Sequence, residues 1–423
     1  MKTAKLGTED ATFPDRISRL PNDLLFQILS LVTITDAMKT SLLSKRWKSV
    51  WKMMPMLDYD KNSCPNIGSL GFVEFCRRSL QLHDAPVVKT LNLKLGEHAG
   101  SMGSLKFLSF QNNLRVFQKL VFLKLDTIVL EFSGSPPRTI FSGESPVCFP
   151  SLRSLHLTNV TFKWEESFCR LVSACSVLED LFLEGFCRVA IFLFTISVPS
   201  LQRLSIITEP TYCLHNDPTF EMNTPSLNYL KIIHRRGCFS FVEDMPNLVE
   251  ANVLGHLVDN VKLLKVLTCV ERLSIDLYPV MMLHLADGLI FNRLLHLEID
   301  TFYDFRSNSV LHFLKHFPAL RALKLNHSHR RIHINIEYPP DLYSEPSSVP
   351  ECLSFHLETL QWIGYERTLE ERESAVYIQK NAHRLKTATF SLRSTITDHR
   401  MLMIKDLRCM TKASASCQLV IKF

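Results

Sequence analysis

One phrase recurs along this chain and limits what it can fold into. Pro150-Ser151-Leu152-Arg153-Ser154-Leu155-His156-Leu157 returns as Pro199-Ser200-Leu201-Gln202-Arg203-Leu204-Ser205-Ile206. It returns again as Pro225-Ser226-Leu227-Asn228-Tyr229-Leu230-Lys231-Ile232 and as Pro318-Ala319-Leu320-Arg321-Ala322-Leu323-Lys324-Leu325. Weaker copies begin at Leu178, Leu248, Val270 and Leu294. The first apolar position of each copy falls at 152, 178, 201, 227, 248, 270, 294 and 320, in steps of 26, 23, 26, 21, 22, 24 and 26 residues. Within a copy the last two apolar residues alternate with polar ones, as on a short strand buried on one face. A unit this small cannot bury its own apolar face, so neighbours must stack with their strands in parallel. The alternative, an α/β domain with independent strands, does not explain a Pro-x-Leu phrase at near-constant spacing.

The steps match leucine-rich repeats, whose period is roughly 20–29 residues. Segments between strands, such as 162–177 with Phe168, Leu171, Val172 and Cys175, are expected to form the outer wall as helix or irregular turns. Earlier copies stand at Val88-x-x-Leu91-x-Leu93 and Leu120-x-x-Leu123-x-Leu125, each 32 residues before the next. Residues 96–119 fit the pattern poorly, so the start of the array is expected to be irregular. After a turn-rich loop ending at Pro350, the pattern resumes at Leu357-x-x-Leu360-x-Trp362. Thr368 is placed to cap a helix reaching about Leu385, with Ala375, Ile378, Ala382 and Leu385 as its apolar stripe. Its charges, Glu370-Glu371-Arg372-Glu373 early and Lys380, Arg384 and Lys386 late, suit the helix dipole and read as a solvated face. Strands are expected at 387–391 and 417–421.

The N-terminal segment differs in period. Residues 1–14 are polar and read as a leader. Leu24, Leu25, Ile28, Leu29 and Val32 then recur at helical spacing behind Pro21 and Asp23. Thr35 is expected to cap a second short helix, and Ser44 a third on which Trp47, Val50 and Trp51 share a face before Pro55 stops it. Three short helices bury little among themselves, yet this stretch carries two of the four tryptophans. It is either a helical cap on the following domain or a module offering an apolar face to a partner.

Asp15-Arg16-Ile17-Ser18-Arg19-Leu20-Pro21-Asn22-Asp23-Leu24-Leu25 and Thr40-Ser41-Leu42-Leu43-Ser44-Lys45-Arg46-Trp47-Lys48-Ser49-Val50-Trp51 resemble the F-box of plant F-box proteins. One departure is Val32-Thr33-Ile34, where those proteins mostly have Leu-Pro-Thr. The C-terminal residues Tyr365, Glu373, Tyr377-Ile378, Asn381-Ala382 and Leu385 resemble the FBD domain that ends plant F-box/LRR proteins. The resemblance implies an α/β chain: a leader over 1–14, a three-helix F-box over 15–60, a leucine-rich-repeat solenoid over 61–340, and a capping FBD domain over 341–423. It also implies docking to a Skp-type adaptor, and through it to cullin and RING subunits of a ubiquitin ligase. Carried over by position, the adaptor face is Leu20, Pro21, Leu24, Ile28, Leu42, Leu43, Trp47 and Trp51.

A protein substrate of unknown identity is expected on the concave face of the strands. Geometry alone selects Phe182, Ile207, Tyr229, Ile233 and Leu254 there as apolar anchors rimmed by charge. Other classes are disfavoured. The 48 basic residues nearly balance the 42 acidic ones, and the basic groups at Lys45-Arg46, Arg235-Arg236 and Arg330-Arg331 are short, so no nucleic-acid surface is expected. The longest apolar run, 189–198, is far too short to cross a bilayer. Twelve cysteines without one Cys-x-x-Cys pair suit buried thiols in the cytoplasm or nucleus. Phosphate-loop, dinucleotide, nucleophile-elbow and zincin motifs are all missing. His312 and His316 sit at i, i+4 but lack a third ligand, so no metal, cofactor or catalysis is expected. A scaffold outside any ligase, with the helical module as a cap, is the alternative function.

Overall fold

The computed structural model describes residues 16–64, 68–95, 104–106, 118–131, 149–162, 165–185, 193–208, 219–236, 238–241, 244–256, 261–276, 288–301, 308–327, 346–393 and 397–423. The leader over 1–14, Arg330-Arg331 and most of 96–119 lie outside these residues. The chain divides into two compact units, Met1–Leu152 and Arg153–Phe423.

The first unit opens with α1 (Asn22–Leu29), α2 (Ile34–Lys39) and α3 (Lys45–Val50), then a 3-10 turn at Trp51–Met53. Pro21 stands at the N-cap of α1, one residue before the helix. The cap of α2 is Thr33 and not Thr35: the Thr33 hydroxyl accepts from the Asp36 N–H at 3.2 Å. The Ser44 hydroxyl caps α3 through the Trp47 N–H at 3.4 Å. The strand Met56–Asp60 follows at once, and it is already a ladder strand. It pairs in parallel with Thr90–Lys94, which pairs with Phe122–Asp126. Leu57, Leu91 and Leu123 stand in one buried row, and Tyr59, Leu93 and Leu125 in the next. The helical module and the first repeat strands therefore belong to one unit, with no break at residue 60. Between the first two strands, helix Ser69–Gln81 buries Phe72, Cys76 and Leu80 at i, i+4, i+8. Within the poorly patterned stretch, Ser104–Lys106 is a strand paired in parallel with Val129–Glu131.

The second unit is a parallel ladder in which each repeat contributes one strand. Ser154–Thr158, Asp180–Glu184, Arg203–Ile207, Tyr229–Arg236, Glu250–His256, Arg272–Asp276, His296–Thr301 and Ala322–His327 follow in sequence order. Thr359–Tyr365, Thr387–Leu392 and Gln418–Lys422 continue the same sheet, so the C-terminal segment extends the solenoid by three strands. Two inward rows run through it. One includes Leu155, Leu181, Leu204, Leu230 and Ala251; the other includes Leu157, Leu183, Ile206, Ile232 and Val253. All ten are buried.

The recurring phrase has a local cause. Leu201 N–H donates to Val198 O at 3.1 Å, Leu227 to Thr224 O at 3.1 Å, and Leu320 to Phe317 O at 3.2 Å. Each bond closes a turn with the proline in its second position, where a fixed φ near −65° is favourable and no N–H is required. The leucine at the turn's end is buried in every case. Copies without proline, at Leu178 and Leu294, close the same turn onto Cys175 O and Phe291 O at 3.3 Å.

The outer wall is mixed. Glu165–Ser173, Val261–Leu267 and Asn308–Phe313 are helices, whereas Leu193–Ser197, Thr219–Asn223 and Cys238–Phe241 form a second parallel sheet. Phe168, Phe194, Phe220 and Phe239 succeed one another behind the ladder at centroid spacings of 5.1, 5.2 and 5.3 Å. Helix Leu369–Asn381 ends before the expected Leu385, leaving Arg384 and Lys386 beyond it. Its charges are not all solvated: Glu371 is buried, and with Thr368 it forms a reciprocal capping box. Helix Thr397–Cys409 was not legible as a helix, because Met403 and Leu407 are its few buried apolar residues among many charges.

Candidate protein-docking surfaces

The N-terminal module turns its two tryptophans inward and leaves several of its leucines outward. Leu25, Leu29, Ile34, Ala37, Trp47, Val50 and Trp51 are all buried. Trp47 Nε1 donates to Ser18 Oγ at 2.8 Å. Arg46 is a clamp and not part of a solvated face. Its guanidinium donates to the carbonyls of Ser18 and Leu20 and, at 2.9 Å, to Asn22 Oδ1. The Lys45-Arg46-Trp47 phrase thus pins the turn that leads into α1.

Two residues of the expected adaptor face are not exposed in this chain. Trp47 and Trp51, at 4% and 6% exposure, are core residues of the module and present no face. Leu20 is half-buried and Pro21 exposed. Leu24, Ile28, Leu42 and Leu43 are exposed, the last two at 87% and 69%. Leu31 at 85% and Val32 at 45% extend the apolar surface, although sequence reasoning did not select them for it. Leu24, Ile28 and Leu31 fall at i, i+4, i+7 and share one side of α1 and the turn after it. Their exposure beside Leu25 and Leu29, the buried stripe, was the available signal.

On the second unit, outward residues form rows across the strands. Phe182, Ile207, Tyr229, Ile233 and Leu254 do face outward, but all five are half-buried and they do not form one cluster. Ile207, Ile233 and Leu254 are neighbours in a single row. Phe182 lies in the middle row against the His156 ring at 5.3 Å, and Tyr229 in the first row under the Arg203 guanidinium at 4.7 Å. Strands about 4.8 Å apart bring long side chains over one another, which accounts for the partial cover.

A groove of about 340 Å³ opens further along the ladder, lined by Glu250, Arg272, His296, Glu298, Lys324 and Gln361 among others. Short residues at its floor, Ser274, Ala322 and Thr359, leave the space. Its charges are paired across strands: Arg272 Nε to Glu250 Oε2 at 2.8 Å and Lys324 Nζ to Glu298 Oε1 at 2.7 Å. Nearer the start, hydrogen bonding from His156 holds the Asp180 carboxyl below its usual range. Among the described residues no group of three or more His, Cys, Asp or Glu is arranged to hold a metal, and no helix is long and apolar enough to cross a membrane. His316 Nδ1 is hydrogen-bonded to Leu289 O at 2.8 Å, a structural contact within the fold.

Three family profiles match the chain: F-box domain over 17–58, Leucine Rich Repeat over 151–176, and FBD over 345–390. An Arabidopsis thaliana relative named as an F-box/FBD/LRR-repeat protein is 54% identical over 447 residues, covering 100% of both chains. The chain belongs to the plant F-box/FBD/LRR-repeat proteins. Two further Arabidopsis thaliana members are similar. One, named as an FBD-associated F-box protein, is 45% identical over 100% of this chain and 98% of its own. The other, named as an F-box/FBD/LRR-repeat protein, is 34% identical over 97% and 99%. In F-box/FBD/LRR-repeat terms, the exposed leucines fall inside the F-box match, and strand Thr359–Tyr365 and helix Leu369–Asn381 inside the FBD match.

Proposed function

We propose that this chain is the substrate-recognition subunit of an SCF-type cullin–RING ubiquitin ligase, working in the cytoplasm or nucleus. The F-box docks a Skp-type adaptor, which links it to the cullin and RING subunits, and the outward face of the ladder holds a target protein. Ubiquitin transfer is carried out by the other subunits, so this chain contributes proximity and not chemistry. The observation carrying the reading is the set Leu24, Ile28, Leu31, Val32, Leu42 and Leu43, left exposed on a module whose interior is already filled. Burying one such side chain against a partner is worth about 2 kcal/mol. Membership of an F-box/LRR family supports the same role.

The test is co-purification of the adaptor with Leu24→Asp plus Leu42→Asp. Neither residue is in the core, so the circular-dichroism melt stays unchanged while adaptor recovery is lost. Full recovery overturns the reading. The second reading is a protein-interaction scaffold outside the ligase with the helices as a cap, and it draws on the burial of Trp47 and Trp51. It predicts that adaptor recovery is absent even from the unaltered chain.

A further inference from the structure

The last ladder strand, Gln418–Lys422, pairs with Thr387–Leu392 on one side and, among the described residues, with no strand on the other. The Gln418 N–H donates to Lys386 O at 2.9 Å. Backbone groups alternate sides along a strand, so the N–H and C=O of Leu419 and Ile421 face the open edge. In the strand before it the inward residues Ala388 and Phe390 are fully buried, whereas Leu419 and Ile421 are only half-buried. They border a groove of about 290 Å³ completed by Ile404, Arg408, Lys412 and Phe423. Phe423 is 71% exposed, with the Arg400 guanidinium 5.5 Å from its ring centre. On helix Thr397–Cys409, Asp406 is ion-paired with Arg367 at 2.7 Å and Arg372 at 2.9 Å. The result is an unpaired edge with an apolar floor and a cationic rim. Sheet edges are ordinarily blunted by proline, a bulge or cover.

We propose that this edge docks an extended segment of a partner protein, with apolar residues at its centre and acidic residues at its ends, added as the next strand. Main-chain bonds form to Leu419 and Ile421, alternate apolar side chains enter the groove over Ile404, and carboxylates meet Arg408 and Lys412. The site shares no residue with the proposed adaptor and target surfaces and does not depend on them.

The test is fluorescence anisotropy of the full chain with labelled peptides. Each has a Val-Thr-Val-Thr-Val core flanked by Glu, Gln or Lys pairs. The Glu-flanked peptide binds about tenfold tighter than the Gln-flanked one, and the Lys-flanked one does not saturate. Arg408→Glu with Lys412→Glu inverts that order. Ile421→Pro removes an outward N–H while leaving the bonds to Thr387–Leu392, which edge strands tolerate; the melt is retained and binding falls about tenfold. Equal binding of the three peptides, or an order indifferent to the rim reversal, overturns the proposal. So does a concentration-dependent dimer in light scattering that excludes the peptides, because the occupant is then a second copy.

Discussion

The F-box helices divide their leucines between core and solvent, whereas the inward rows of the ladder bury theirs. In the module, Leu24, Leu31, Leu42 and Leu43 point to solvent while two tryptophans fill the interior. In the ladder, leucines of the inward rows are buried and the outward rows carry ion pairs such as Arg272–Glu250 and Lys324–Glu298. The difference separates two kinds of recognition. An uncovered apolar patch gains free energy from any partner of the right shape, so it suits a permanent neighbour. A face whose charges already neutralise one another gains little until a partner supplies better contacts, so it suits a selective and reversible one.

The largest effect that can break this contrast is at Trp47. If it is core, Trp47→Ala destabilises the first unit by about 4 kcal/mol, seen as a lower urea midpoint without any partner present. An unchanged midpoint returns Trp47 to the docking face. Next is Glu371, which tests whether the ladder's C-terminal part tolerates buried charge. Burial raises its pKa from the ordinary 4.5 to about 7. The folded state therefore holds the proton more tightly than the unfolded one, and stability falls as pH rises from about 4.5 to 7, by about 3 kcal/mol in all. Glu371→Gln keeps an acceptor for the Glu366 and Thr368 N–H groups, now at 3.0 and 3.1 Å from Oε2. The variant is expected to melt higher than the parent at pH 8 and to lose that advantage below pH 4.5. An equal difference at both pH values rules out the buried charge as the cause.

A smaller effect is expected at Arg46. Arg46→Ala releases two backbone carbonyls and Asn22, costing about 2 kcal/mol and weakening adaptor capture without altering any exposed leucine. Calorimetry of the full chain, with and without adaptor, separates the two losses. The smallest is Arg272→Ala, whose half-exposed partner Glu250 makes the pair worth about 0.5 kcal/mol to stability. A drop several times larger shows that the groove's charges hold the fold itself, and the contrast with the module then weakens.

Much of this was legible in the chain. The alternation in Leu155-His156-Leu157 marks strand and inward face together, and Pro199, Pro225 and Pro318 mark the turns ahead of them. What stayed hidden had physical reasons. A helix of six residues such as α3 is too short for period alone to say whether Trp47 faces a core or a partner. Glu371 sits in a run of charges, and only its capping role takes it out of solvent. Ile207, Ile233 and Leu254 could be aligned from repeat spacing, but their cover by neighbours depends on strand packing that spacing does not report.

The regular spacing of the ladder strands also makes the sheet a ruler. A ligand crossing the strands meets a new one about every 4.8 Å, while an extended peptide advances about 3.3 Å per residue. Three ligand residues therefore cover nearly the same distance as two strands, roughly 10 Å. Successive side chains of an extended segment face opposite ways, so a segment laid along a row would return to phase on the same side only after six residues and four strands, roughly 20 Å, and deleting one of its residues would shift every contact after it.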